Sequence, residues 1–186
     1  MGIAPNTAKS WLPVLEAGRQ LFLVEPYHRS AGKRLVKTSK LYFAGSGLLT
    51  YLLGYPDWTA VTQHAAWGAI WENLVISEVW KQFQNRGERP PCWFWRTAQG
   101  EEIDLLIERG PDQFVAVECK VGVEPDGRSL RGFAALEKVY GAKALRRGVV
   151  ACRTPAAYPL AEQSRIAALP LGGPEGVTAW IQRHMG

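Results

Sequence analysis

The stretch over residues 100–120, GEEIDLLIERGPDQFVAVECK, constrains this chain most strongly because it predicts two short strands joined by a turn. Over 103–108, Ile103, Leu105 and Ile107 alternate with Asp104, Leu106 and Glu108, and a second apolar run then leads into Glu118, Cys119 and Lys120. Gly, Pro and Asp at 110–112 favour a turn, since Pro fixes φ and the other two tolerate unusual φ. Glu118 and Lys120 are two apart and share a strand face. Pairing of the two strands would bring Asp104 close to Glu118.

Two carboxylates and an ammonium in one small patch have a chemical use. Neighbouring carboxylates repel each other and bind a hard divalent cation such as Mg²⁺ through oxygen ligands. The metal polarises a phosphoryl oxygen and generates hydroxide from water. A lysine beside it orients the attacking water or stabilises charge that develops on the phosphate. On the residues alone, a surface ion pair at a sheet edge explains the pattern equally well, because these residue types are common.

Asp104, a spacer of one hairpin and Glu118-Cys119-Lys120 resemble the signature of the PD-(D/E)xK nuclease superfamily. Four segments also resemble, in order, the C-terminal region of a large group of prokaryotic AAA+ ATPases, a region often left as a domain of unknown function. They are LYFAGSGLLTYLLG at 41–54, GAIWENLVISEVWKQ at 68–82, WFWRTAQGEEIDLLIERG at 93–110 and VAVECK at 115–120. This resemblance implies an α/β fold with a restriction-endonuclease-like core and metal-dependent hydrolysis of nucleic-acid phosphodiesters, DNA being the expected substrate.

The resemblance also implies roles for individual residues. Asp104 and Glu118 would bind Mg²⁺ or Mn²⁺, the backbone carbonyl of Cys119 would add an oxygen ligand, and Lys120 would position the water.

A glutamate on the helix before the core sheet completes the metal site in many members of this superfamily. The helix predicted over 65–84 carries two candidates, Glu72 and Glu78, which the residues alone leave open. A carboxylate among apolar neighbours needs a partner or a raised pKa, and this holds for both. The superfamily resemblance favours Glu72.

Residues 1–60 are predicted to form a partial winged-helix segment and a connecting helix, and residues 61–186 the restriction-endonuclease-like domain. A helix starting at the N-cap Asn6 and ending at Gly18, a strand over 20–25, a basic tip over 27–33 and a return strand over 34–43 resemble the second half of a winged-helix domain. Eight basic residues make this segment positive, which a solvated hairpin explains slightly better than contact with nucleic-acid phosphates. They are Lys9, Arg19, His28, Arg29, Lys33, Arg34, Lys37 and Lys40.

The remaining segments complete the predicted order of elements. A helix follows from Ser46 to Gly54, then a linker over 55–62, the long helix over 65–84 and an aromatic strand over 92–97. A helix over 129–140 leads to a buried parallel strand over 144–151. A final edge strand over 166–171 and a closing helix over 174–184 end the chain.

Composition limits the remaining possibilities. At 47% hydrophobic and 21% charged residues the chain is globular, and its net charge of +5 permits an anionic partner such as nucleic acid. Three cysteines without metal-ligand spacing, no apolar run of membrane-spanning length and no signal-peptide layout predict reduced thiols and a cytoplasmic location. The oligomeric state stays open.

The sequence has no Gly-x-x-x-x-Gly-Lys-[Ser/Thr] motif, so we expect no ATP hydrolysis from this chain. Any ATPase activity implied by the resemblance would belong to another segment or subunit, and we expect a fragment or decayed paralogue of a longer protein. The alternative function is a non-catalytic module that binds nucleic acid or protein and regulates an AAA+ ATPase, because a nuclease-like fold need not retain activity.

Overall fold

The computed structural model of the protein describes residues 2–27, 38–160 and 165–185. The elements in chain order are α1 (Pro5–Ala17), β1 (Leu21–Pro26), β2 (Lys40–Phe43), α2 (Ser46–Leu52), α3 (Trp58–Gln63), α4 (Trp67–Gln84), β3 (Cys92–Arg96), β4 (Glu102–Gly110), β5 (Gln113–Cys119), a 3₁₀ turn (Gly127–Leu130), α5 (Arg131–Tyr140), β6 (Leu145–Ala151), β7 (Tyr158–Pro159), β8 (Ile166–Leu169) and α6 (Val177–Met185). The predicted α/β class is therefore confirmed.

The described strands form one mixed sheet of eight, in the order β2-β1-β3-β4-β5-β6-β8-β7. Neighbours are antiparallel in the pairs β1–β2, β3–β4, β4–β5 and β7–β8. They are parallel in the pairs β1–β3, β5–β6 and β6–β8. The predicted hairpin is confirmed as β4 and β5, which lie in the middle of the sheet and are joined by Pro111 and Asp112, the latter at a φ of 52°.

Helices cover both faces of the sheet, as its doubly buried central strands require. On one face, α4 and α6 pack through side chains such as Ile76, Val79 and Ile181. On the other face, α5 packs through Phe133 and Leu136. Both β4 and β5 supply side chains to each cluster, which explains why their sequences are nearly continuous apolar runs.

The N-terminal hairpin belongs to this same sheet. β1 pairs in parallel with β3, in the register Glu25 with Trp93, so β1 and β2 extend the sheet at one side. The predicted basic tip from residue 28 onward and the start of the return strand over 34–37 lie outside the described residues. The winged-helix interpretation and the domain boundary at residue 60 stay predictions.

Most of the predicted helices and strands are present, with three corrections. The predicted linker over 55–62 contains α3, because the Asp57 carboxylate accepts a hydrogen bond from the Ala60 N–H at 2.9 Å and caps a short helix. The predicted edge strand corresponds to β8, which is not at the edge, since β7 pairs beyond it. α1 starts at Pro5 rather than after an Asn6 cap, because proline suits the first helical turn.

The close approach of α5 to β4 requires glycine at position 132. A Cβ there would lie 2.2 Å from the carbonyl oxygen of Glu102 and 2.8 Å from Cδ1 of Ile103.

We predict that Gly132→Ala lowers the free energy of unfolding by about 1–3 kcal/mol, measured by urea denaturation, because the helix must move off the strand. Gly68→Ala in α4 is the matched control, since nothing lies within 4 Å of its Cβ position. That variant should be neutral or more stable by up to about 1 kcal/mol. Equal unfolding midpoints for the two variants would contradict the prediction.

A candidate carboxylate–lysine site

A β-bulge in β4 determines where the side chain of Asp104 points. The register between β3 and β4 shifts between Trp93 and Trp95, so Asp104 and Leu105 both stand opposite Phe94. A bulge of this kind bends the strand and re-aims a side chain.

The core contacts of β4 show the effect of the bulge. Ile103 and Leu106 both lie in the α5-side cluster, although residues three apart on a regular strand point to opposite faces. Leu105 lies in the α4-side cluster. In a regular strand Asp104 and Leu105 would point to opposite faces, whereas here the Asp104 carboxylate is also on the α4 side, within reach of a lysine that holds Glu72 of α4.

The Asp104 carboxylate is buried at the end of the β4–β5 pair, with 8% of the residue exposed. Its Oδ2 accepts a hydrogen bond from the backbone N–H of Cys119 at 2.8 Å, which ties the end of β5 to the bulge. Burial and the nearby negative charges of Glu118 and Glu72 raise the pKa of Asp104 to about 7. Lys40 and the Cys119 N–H oppose this shift but do not cancel it.

The ammonium of Lys40 lies at the centre of three carboxylates. Its Nζ is 2.9 Å from Oε1 of Glu72, 2.5 Å from Oε1 of Glu102 and 3.4 Å from Oδ1 of Asp104. It also lies 5.4 Å from the ring centroid of Phe94, the residue opposite the bulge. Burial alone would lower the pKa of Lys40, but the carboxylates of Asp104 and Glu72 outweigh burial and raise it. Lys40 is therefore a permanent cation within the site.

Glu72 is oriented by β2 as well as by its own helix. Its Oε1 accepts a hydrogen bond from the Tyr42 hydroxyl at 2.6 Å in addition to the Lys40 contact. The neighbouring Asn73 fixes β2 against α4, because its Oδ1 accepts from the Phe43 N–H at 2.7 Å and its Nδ2 donates to the Phe43 carbonyl at 3.2 Å. Two neighbouring helix residues thus hold β2 by its backbone and by its side chains.

Glu118 and Lys120 form an ion pair at the same end of the sheet. Nζ of Lys120 is 2.7 Å from Oε1 of Glu118, and about two fifths of the lysine side chain is exposed. The other carboxylate oxygen, Oε2 of Glu118, is buried and has no hydrogen-bond partner among the described residues. Burial raises the pKa of Glu118, although Lys120 opposes the shift. An unpaired buried oxygen of this kind is available to a further cation or donor.

The structure brings most of the predicted site residues together. Asp104 and Glu118 interact electrostatically, Lys120 pairs with Glu118, and Glu72 shares Lys40 with Asp104. Glu78 is paired instead with Lys81 one turn along α4, so of the two helix glutamates Glu72 is the one in the site. The N–H of Cys119 contacts Asp104, and the ligand role of its carbonyl stays a prediction.

Three residues of the site were missed by sequence reasoning: Lys40, Tyr42 and Glu102. Lys40 was counted only among the basic residues of the N-terminal hairpin. Lys40 and Tyr42 are two apart on a strand and share a face, a signal that could have paired them with each other but not with Glu72. Glu102 forms an ion pair with Arg96 at 3.5 Å and also contacts Lys40.

The carboxylates of this site are ligand types that suit a hard divalent cation, but three of them are bound to the ammonium of Lys40. Carboxylates are the ligands that Mg²⁺ and Mn²⁺ take, and Oε2 of Glu118 is unpaired. Within residues 2–27, 38–160 and 165–185, however, no group of three or more His, Cys, Asp and Glu side chains is arranged to hold a metal ion. The carboxylates of Glu72, Glu102 and Asp104 point at Lys40 instead.

Fold and site together define a mixed α/β protein with a carboxylate–lysine cluster at one end of its central strands. The model of the family described as "Domain of unknown function (DUF4143)" matches residues 67–172, more than half of the chain. The chain belongs to this family. A second model, described as "Domain of unknown function (DUF8612)", matches residues 1–59.

Two mycobacterial proteins are similar to the chain over 108 residues at 31% identity, which covers 58% of this chain and 24% of each relative. They are the uncharacterized protein Rv2008c of Mycobacterium tuberculosis and the uncharacterized protein Mb2031c of Mycobacterium bovis. The chain thus matches about a quarter of the length of these curated relatives. No solved structure matches the chain significantly. None of the described helices has the length and apolar character needed to cross a membrane.

Protonation of Asp104 should make stability depend on pH. Its pKa is about 7 in the folded chain and about 3.9 when unfolded, so the folded state retains a proton that the unfolded state has released between these values. We predict that wild type loses stability relative to Asp104→Asn as pH rises from about 4 to about 7, by at least ~1 kcal/mol, in urea denaturation with EDTA. The charged side chains that interact with the Asp104 carboxylate are those of Glu118, Glu72 and Lys40.

Asp57→Asn is the control for this experiment, because it makes the same exchange outside the site, at a helix cap that asparagine also suits. Parallel pH profiles of the free energy of unfolding for wild type and Asp104→Asn would contradict the raised pKa of Asp104.

Proposed function

We propose that this chain is a metal-dependent nuclease-like domain that acts on nucleic-acid phosphodiesters. The observation that supports the proposal is the register of β4 and β5, which pairs Leu105 with Val117 and so brings the next residues, Asp104 and Glu118, to the same end of the hairpin, with Lys120 paired to Glu118. This is the residue set that the PD-(D/E)xK resemblance implies. Family membership itself does not establish a restriction-endonuclease-like core or an activity, so both belong to the proposal.

In this proposal Asp104 and Glu118 hold Mg²⁺ or Mn²⁺, Glu72 assists from α4, and the Cys119 carbonyl is a further oxygen donor. When bound, the metal supplies Lewis-acid polarisation of a phosphoryl oxygen and a nucleophilic water at neutral pH. The chain's own groups have the complementary tasks. Carboxylates buried at the sheet end fix the donor positions, and the partly exposed ammonium of Lys120 can turn from Glu118 to a water or a phosphate oxygen.

Nucleic acid, with DNA expected, is the proposed substrate because the chain carries a net charge of +5 and its proposed chemistry acts on phosphodiesters. The resemblance to the C-terminal region of prokaryotic AAA+ ATPases suggests an ATPase segment or subunit as partner. With no phosphate-binding Gly-x-x-x-x-Gly-Lys-[Ser/Thr] motif in the sequence, ATP hydrolysis is not proposed for this chain.

One observation favours the alternative, a non-catalytic module that binds nucleic acid or protein and regulates an AAA+ ATPase. Lys40 already neutralises part of the negative charge of Glu72, Glu102 and Asp104. A site whose carboxylates are satisfied by an internal ammonium can persist as a structural ion-pair network without any metal.

Cleavage assays distinguish the two candidates. We predict that the purified chain nicks or degrades DNA or RNA with Mg²⁺ or Mn²⁺ and that Lys120→Ala lowers the rate by about 10²-fold or more while the chain stays folded by circular dichroism. Lys81→Ala is the matched control, because Lys81 also pairs with a glutamate, Glu78, outside the site. Nucleic-acid binding by wild type without cleavage under either metal would favour the regulatory module.

A further inference from the structure

We propose that the ammonium of Lys40 is an internal competitor of the divalent cation: it occupies the carboxylate oxygens that the metal would need, and metal binding requires its displacement. This inference rests on the proposed function, since it concerns the same site. It assigns a specific task to a residue that lies outside the Asp104, Glu118 and Lys120 signature.

The hydrogen-bonding capacity of Lys40 is used up by the site. A lysine ammonium has three N–H donors and no acceptor. Three carboxylate oxygens lie within 3.4 Å of Nζ, one each from Glu72, Glu102 and Asp104. The ammonium therefore substitutes for a metal ion in both charge sign and oxygen ligands.

Asp104 shows most clearly why the two cations exclude each other. Its Oδ2 accepts a hydrogen bond from the Cys119 N–H and its Oδ1 faces Lys40, so neither oxygen is free of a donor. Glu72 contributes through one oxygen, because its Oε1 both accepts from Tyr42 and contacts Lys40. A metal bound by Asp104 Oδ1 and Glu72 Oε1 would lie beside a second positive charge unless Lys40 moved away.

The charge balance of the site favours the replacement of Lys40 by a divalent cation. The four carboxylates of Glu72, Glu102, Asp104 and Glu118 face three cations: Lys40, Lys120 and the half-exposed Arg96. When all four carboxylates are ionised, one negative charge is in excess, and this state together with the unpaired Oε2 of Glu118 favours replacing a monovalent cation by a divalent one. Lys40 lies on β2 with about a quarter of its side chain exposed, so a path toward solvent is open.

The test is Mn²⁺ binding by the whole chain, measured by titration calorimetry and by the electron paramagnetic resonance of free Mn²⁺. Lys40→Met keeps most of the aliphatic stem and removes the charge. We expect it to bind one Mn²⁺ with a Kd at least about tenfold lower than wild type, the effect of one charge-assisted hydrogen bond. Lys40→Arg keeps the charge and should bind as weakly as wild type. Lys81→Met removes an ion pair of α4 outside the site and should leave the Kd unchanged.

A second substitution tests where the additional Mn²⁺ affinity of Lys40→Met arises. Adding Asp104→Asn to Lys40→Met should abolish the increase in affinity. An increase that survives would overturn the inference, because the metal would then lie elsewhere. If Lys40→Met does not fold by circular dichroism, Lys40→Gln takes its place, because the amide can still donate to the carboxylates without a charge.

The remaining outcomes separate this inference from the proposed function. Equal Mn²⁺ affinity in wild type and Lys40→Met would overturn the inference and leave the proposed metal site standing. Absence of Mn²⁺ binding in both would overturn the inference and also remove the metal from the proposed function. Tighter binding in Lys40→Met without cleavage of nucleic acid would support the inference and contradict the hydrolase.

Discussion

The bulge in β4 opposite Phe94 is the constraint on which the site depends. With regular alternation Asp104 and Leu105 would point to opposite faces, so only one of them could face α4. The extra residue lets the strand keep its apolar contacts with both core clusters while one carboxylate turns to the α4 side. The Cys119 N–H then fixes that carboxylate in place, so the geometry of the site is a consequence of how β3, β4 and β5 pair.

Electrostatics explains why the carboxylates at this end of the sheet are energetically unfavourable to bury. Burial and like charges raise the pKa of Asp104 and of Glu118, so the folded chain disfavours their ionised forms. Lys40 and Lys120 reduce this penalty without removing it, since one oxygen of Glu118 stays unpaired. Carboxylates with perturbed pKa values cluster at functional sites, and this is consistent with the cation chemistry proposed for these residues.

Local sequence patterns were sufficient to predict the hairpin, the long helix α4 and the location of Asp104 and Glu118 at the same end of the hairpin, because strand alternation, turn composition and helical spacing are short-range signals. The superfamily resemblance favoured Glu72 over Glu78, and the ion pairs place Glu72 in the site. Neither the bulge nor the role of Lys40 could be predicted, since a bulge depends on the register with β3 and Lys40 meets its partners 32 to 64 positions away in sequence. The short helix α3 was missed because its signal is a single aspartate cap.

The most direct measurement of whether these carboxylates form a divalent-cation site is anomalous scattering from crystals of the wild-type chain soaked in a high concentration of Mn²⁺. A site built as described here predicts a peak within about 2.4 Å of carboxylate oxygens from both Asp104 and Glu118, with the Lys40 ammonium moved off Asp104. Mn²⁺ peaks only elsewhere, or none, with Lys40 still bound to Glu72, Glu102 and Asp104, would contradict it.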